Sequence, residues 1–433
     1  MNPSPKTLIE QNPMTGVQYA TIFICFLMNI FDGMDVMVIS YSAPAIAKSW
    51  GISPKELGAV FSAGLFGMTL GTLFLAPLAD KIGRKTIILI SGAIMGVFMY
   101  LTAYATDVTD LVIYRFISGL GIGSMLASTS TLASEYTPLK TRNFWISTVV
   151  AGYPVGAVLS GLVAAKVIPS EGWQTMFKIA GVASALSVPL VLLFLSESID
   201  FYLNAQPKNA LQKLNIILQK LNIDPIETLP VLIAKKAGLP VGELLKTEYK
   251  KPTIQLWLAL FTSFAALYFL TLWIPKMTSD LGLPQNLAIY AGTLFNVGAF
   301  FGIITQGYFS NRYGLKKTIG VILILTAVLM ASFGLFLGSD YAILIAFTGM
   351  GFGIQGGFVG LYAVSARMYP AEFRTTGVGW AMGAGRFGAI IGPYLAGYLI
   401  QSGVSISINF IVFAVFSLLA GLITMKISSK QIY

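Results

Sequence analysis

Two aspartates three residues apart, Asp32 and Asp35 in "NIFDGMDVMVIS" (29–40), lie inside a stretch otherwise apolar enough to dissolve in hydrocarbon. Residues three apart share a helix face, so both carboxylates point the same way. Counting ~1.5 Å per residue from Tyr19 sets Asp32 about 20 Å into a hydrocarbon core of roughly 30 Å. An ionised acid there costs a few kcal/mol unless it is paired, so it marks a cavity or an ion path. Two close carboxylates resist holding two negative charges, which suits such a pair to carrying a proton. The chain has no histidine, and an aspartate is then the natural group for reversible protonation among the helices. A place at the outer rim of the membrane is the bland alternative.

Two cations also fall inside apolar runs, Arg115 and Arg386. Arg115 sits about four residues into the fourth run, at a depth close to that of Asp35. An Asp35–Arg115 pair is expected, and it can be either a fixed tie or one released by protonation. Arg386, in "GWAMGAGRFGAIIGP" (379–393), lies ~16 Å from the inner edge of the eleventh run. Its planar fork suits a carboxylate, and a tie to backbone carbonyls between helices is the alternative. Phe31, Tyr153, Phe295, Tyr362, Trp380 and Phe387 are aromatic candidates for a place near these charges, and each can either stack on a flat conjugated anion or serve ordinary packing.

The elements that position these groups are legible in the composition. Of 433 residues 55% are hydrophobic and 11% charged, and the mean hydropathy is +0.76, which defines an all-α polytopic membrane protein. Apolar runs fall at about 17–42, 57–79, 86–105, 111–133, 145–165 and 175–195, then at about 254–275, 287–309, 318–338, 341–364, 375–400 and 405–426, each near the ~20 residues a spanning helix needs. Twelve transmembrane helices are expected, in an N-terminal bundle (1–195), a cytoplasmic central loop (196–250) and a C-terminal bundle (251–433). Residues 1–16 read as a cytoplasmic tail rather than a signal peptide. In the central loop, "NALQKLNIILQKLNI" has the spacing of a short amphipathic helix.

With both termini inside, 21 of the 28 Lys and Arg residues fall on the inner side and five outside. That orientation satisfies the positive-inside rule. It also accounts for the net charge of +10 with the lipid bilayer as the partner and no nucleic acid. The single cysteine, Cys25, has no partner for a disulfide and reads as a packing residue. The absence of histidine and of any metal-ligand cluster argues against a membrane-embedded enzyme.

The two halves repeat. "APLADKIGRK" (76–85) aligns with "GYFSNRYGLK" (307–316) at an offset of 231, setting Asp80 against Asn311, Lys81 against Arg312, Gly83 against Gly314 and Lys85 against Lys316. "SGLGIGS" (118–124) aligns with "TGMGFGI" (348–354), and "EYTPLKTR" (135–142), which runs from Glu135 to Arg142, aligns with "MYPAEFR" (368–374). The buried cations break the symmetry, because Ile345 stands opposite Arg115 and Pro154 opposite Arg386. Parallel six-helix repeats with substrate near the midplane are one established transporter plan.

With "ADKIGRK" in place, the chain resembles the major facilitator superfamily, whose signature loop joins the second and third helices. Gly83 permits a tight turn, while Lys81, Arg84 and Lys85 anchor the loop at the interface. Asp80 is able to close on an arginine or a helix N-terminus across the bundle. "FDGMD", "YRFISGLGIG" and "YPAEFRTTGVGWAMGAGRFGAIIGP" resemble, more narrowly, the aromatic acid:proton symporter family. In its first-helix motif Met34 replaces the usual aromatic. The resemblance implies an importer of benzoate-, hydroxybenzoate- or muconate-type anions with protons; a monomer in a bacterial inner membrane, driven by the proton gradient with no cofactor, is expected. The same resemblance implies that Asp32 and Asp35 couple protons, that Arg115 and Arg386 meet substrate or gate, and that the loop around Asp80 governs conformational change. Tyr153, Phe295 and Trp380 are the aromatic candidates for the substrate site, and Asn311, Arg312, Glu135 and Arg142 join Asp80 as candidate gating residues. "SESIDFYL" (196–203) faintly resembles a sugar-porter ending, which keeps another metabolite porter open, as is an exporter.

Overall fold

The computed structural model describes residues 5–230, 245, 249–369 and 371–427. Among them every apolar run is helical and no strand occurs. Ten helices are long and apolar enough to cross a membrane: Gly16–Trp50, Pro54–Ile82, Arg84–Thr102, Val108–Glu135, Phe144–Glu171, Trp173–Phe194, Lys250–Asp280, Gln285–Tyr313, Asp340–Met368 and Ile406–Lys426. The two remaining runs form Leu315–Ala331 and Ala371–Gln401. The helices are thus the first to twelfth in the order of the runs.

Local chemistry sets their ends and irregularities. Asp107, Ser339 and Ser405 cap the fourth, tenth and twelfth helices by accepting from main-chain N–H groups three residues on, which satisfies donors left over in the first turn. The second helix passes into a π turn over Gly71–Leu75 just before Pro77, whose missing N–H breaks the regular ladder. Pro189 does the same in the sixth, which is interrupted at Leu186. In the central segment an amphipathic helix forms over Ala210–Lys220, burying Leu214, Ile217 and Leu218. The stretch 231–244 lies outside the described residues.

Packing gathers the chain into two units that do not follow the expected chain boundaries. One holds Met1–Val36, Phe66–Gly156 and Phe177–Lys235; the other holds Met37–Leu65, Ala157–Met176 and Lys236–Tyr433. Contacts inside the second unit show why the later part of the first helix and the earlier part of the second belong there. Ser40 Oγ lies 3.0 Å from the carbonyls of Thr271 and Leu272. Ser62 Oγ donates to Ile390 O at 2.7 Å, and the ring of Phe61 meets Trp273 edge-on at 5.4 Å.

The repeat is visible in the backbone. Gly83 has φ 101° and ψ 147°, and Gly314 has φ 89° and ψ 142°, a region that favours glycine. Lys85 Nζ donates to Leu192 O at 2.9 Å at the end of the sixth helix, and Lys316 Nζ donates to Ile427 O at 2.8 Å at the end of the twelfth. Both lysines meet the negative end of a helix dipole.

Candidate functional site: a buried carboxylate and guanidinium cluster

The first helix reaches the cluster through a close crossing with the fifth. A Cβ on Gly33 would lie 2.0 Å from Tyr153 O, and one on Gly156 would lie 1.9 Å from Ile30 O. Only hydrogen fits at either point, so the glycine between the acids is a packing requirement. The crossing leaves Asp32 and Asp35 at 1% and 0% exposure.

Asp35 is held by neutral and main-chain groups. Ser184 Oγ, from the sixth helix, lies 2.9 and 3.1 Å from its two carboxylate oxygens. Arg115, itself 3% exposed, donates from Nη2 to the main-chain carbonyl of Asp35 at 3.2 Å, while Nη1 lies 2.8 Å from Met99 Sδ. The sequence predicts a carboxylate–guanidinium pair, but the structure has Arg115 gripping the helix backbone. The Ser184 hydroxyl is the side-chain partner of the carboxylate instead. Charge attraction between Asp35 and Arg115 persists without a direct bond. Tyr153 is half-buried, with its carbonyl against Gly33.

Arg386 belongs to the other unit. Its Nη1 is buried with no hydrogen-bond partner among the described residues, a costly state for a guanidinium N–H. The adjacent Gly385 packs on the ring of Phe264. Phe264 stacks parallel on Tyr268 at 6.0 Å and meets Phe358 edge-on at 4.5 Å, and Phe358 meets Tyr362 edge-on at 5.1 Å. Tyr362 and Arg386 interact electrostatically. A charged donor beside a chain of aromatic rings suits a flat carboxylate. Phe295 is fully buried and its main chain packs against Gly351. Trp380 is half exposed and stacks on Trp257 at 6.3 Å.

The loop after the second helix forms a third cluster, within the first unit. Arg84 Nε donates to Glu135 Oε1 at 2.6 Å, and Ser198 Oγ donates to the other oxygen of the same carboxylate. Asp80, largely exposed, is 3.5 Å from Arg84 one turn away on its own segment. Its expected closure on a helix N-terminus falls to a different acid. Glu197 accepts from Lys85 N at 2.9 Å and from Ser198 N at 2.8 Å. Arg142 donates to Glu10 at 2.9 Å. Lys81 and Asn311 are exposed, and Arg312 lies over the ring of Tyr313 at 5.4 Å.

Ser184, Met99, Tyr268, Phe358, Glu197 and Ser198 escape the sequence reading. Only the last two carried a signal, an acid and a capping serine directly after an apolar run. The other four look like ordinary helix residues until folding brings them to a charge.

A repeated helical bundle with carboxylates and guanidinium groups inside its spans defines a multi-pass membrane transporter rather than an enzyme. The sequence profile of the Major Facilitator Superfamily matches residues 25–306 and 256–430, and the chain belongs to that superfamily. It is 32% identical to the 4-hydroxybenzoate transporter PcaK of Pseudomonas putida over 92% of this chain and 90% of that protein. It is 30% identical to a gallate transporter of Pseudomonas putida over 94% and 90% of the two chains. A solved structure of the xylose transporter XylE from E. coli superposes with a TM-score of 0.72 at 15% identity, covering 95% of this chain and 99% of the other. That likeness concerns the fold alone.

Proposed function

We propose that this transporter imports an aromatic carboxylate of the benzoate or hydroxybenzoate type, or its ring-cleavage dicarboxylate, together with protons. The observation that carries the reading is the buried Asp32–Asp35 pair beside Arg115 and Ser184. The similarity to transporters of hydroxylated aromatic acids supports the substrate class. The cycle is alternating access in a bacterial inner membrane, with both termini cytoplasmic, a single chain as the working unit and the proton gradient in place of any cofactor.

Protonation of the aspartate pair from outside removes negative charge from the spans. The anion binds with its carboxylate on Arg386 and its ring among Phe264, Tyr268, Phe358 and Tyr362. The loaded protein then carries little unpaired charge into the low dielectric, where unpaired charge is expensive. Changing the side of access requires the ties at Ser40 and Ser62 to part and reform. On the inner side the proton leaves and the anion follows.

The test is uptake of labelled 4-hydroxybenzoate, benzoate and muconate into proteoliposomes under an imposed inward proton gradient, for wild type and Asp32→Asn. Accumulation by the wild type and its loss in the variant is the expected result. Equilibration that ignores both gradient and substitution would overturn proton coupling, and absence of uptake for all three acids would overturn the substrate class.

A further inference from the structure

A cavity of about 600 Å³ opens in the first unit among Gly16, Lys85, Phe194 and the amphipathic helix Ala210–Lys220. Three of its walls are ends of membrane-length helices: Gly16 begins the first, Lys85 is the second residue of the third, and Phe194 ends the sixth. The cavity therefore sits at a boundary between hydrocarbon and water.

Its lining is divided. Lys85, Lys213 and Lys220 supply three cations against one acid, Glu197, which is already occupied by the main-chain N–H groups of Lys85 and Ser198. Lys213 and Lys220 are seven apart, two helical turns on one face, with Ile216 and Ile217 between them. Lys85, whose Nζ donates to Leu192 O, is drawn to Glu197 and repelled by Lys220, so the lining keeps a net excess of positive charge. The other wall is apolar and open: Leu193 is 76% exposed and Phe194 56%, with Leu192 and Ile216 beside them.

From this arrangement we infer that the cavity is a binding site for an acidic phospholipid of the surrounding leaflet. Its phosphate sits among Lys85, Lys213 and Lys220, and its acyl chains lie along Leu192, Leu193 and Phe194. Like-charged lysines gathered at the membrane boundary are relieved by an anion, and a headgroup phosphate brings its own apolar tails to the exposed leucines. The lipid would brace the amphipathic helix against the third and sixth helices. This inference rests on membrane insertion alone and is independent of which solute is carried.

The experiment titrates the full-length protein in detergent with phosphatidylglycerol, phosphatidylcholine or inorganic phosphate and reads bound lipid by native mass spectrometry and the thermal midpoint. Phosphatidylglycerol is expected to bind and to raise the midpoint where phosphatidylcholine does not. Lys213→Gln/Lys220→Gln, both at exposed positions, should weaken that binding by at least ~10-fold, and Lys213→Arg/Lys220→Arg should restore it. Equal binding of the two lipids, an unaffected glutamine variant, or an identical shift with inorganic phosphate alone would each overturn the inference.

Discussion

Ser184 Oγ lies 2.9 and 3.1 Å from the two carboxylate oxygens of Asp35, so a neutral hydroxyl of the sixth helix holds the acid while the buried arginine takes its main-chain carbonyl. A hydroxyl can donate to the ionised carboxylate or accept from the protonated one. It therefore serves both states of a proton carrier, whereas an arginine in direct contact would favour only the charged one.

Removing that hydroxyl should be felt in both stability and transport. Ser184→Ala leaves a buried acceptor without its donor, a cost of about 1–3 kcal/mol. A fall in thermal midpoint together with slower gradient-driven uptake is the expected outcome. Retention of both would mean that Arg115 or Asp32 takes over the carboxylate.

Asp35→Asn keeps the shape and removes the proton site. Gradient-driven accumulation should disappear while exchange of labelled for unlabelled substrate at equal concentrations continues, because exchange needs no net proton movement. Counterflow in proteoliposomes reads the difference. Loss of exchange as well would assign Asp35 to folding or substrate binding.

Arg386 offers a graded test of carboxylate recognition. Arg386→Lys retains the charge but loses the planar fork, and about a 10-fold or greater loss of substrate affinity is expected. Arg386→Gln should bind more weakly still. Wild-type affinity in the lysine variant, measured by isothermal titration, would assign the guanidinium a structural place instead.

The Arg84–Glu135 contact at 2.6 Å, with both side chains mostly buried, should be energetically coupled. A double-mutant cycle with Arg84→Gln and Glu135→Gln is expected to give ~1.5–3 kcal/mol, the range for a hydrogen bond to a charged group. Coupling near zero would reduce the pair to one more interfacial contact, and the gating role expected of this loop would lose its physical basis.

Glycine positions separate packing from flexibility. Gly33→Ala would force a methyl to 2.0 Å from Tyr153 O, whereas Gly307 has nothing within 4 Å of its would-be Cβ. Gly33→Ala should lose a stable, monodisperse protein, with a cost of at least ~1–3 kcal/mol. Gly307→Ala, in a helix interior, should be neutral or slightly stabilising. Size-exclusion profiles and thermal midpoints of the two variants provide the comparison.

By itself the sequence determined the solvent, the apolar runs, the repeat and the residues worth attention. Hydropathy is summed over ~20 residues and tolerates local noise, and Asp32, Asp35, Arg115 and Arg386 announce themselves because charge is rare in such runs. The glycine pair Gly83 and Gly314 was legible for a similar reason, since a left-handed turn leaves few alternatives at one position. Tertiary structure alone decided the partners. Whether Arg115 meets the carboxylate or the carbonyl of Asp35, whether Asp80 or Glu197 accepts from the main chain at the start of the third helix, and which rings stand beside Arg386 depend on ångström-scale crossings between distant helices. Hydrogen bonds fade within an ångström of their optimum, so depth along a helix predicts proximity but not the bond. A serine such as Ser184 carries no sequence signature, because its chemistry appears only when the fold brings a charge to its hydroxyl.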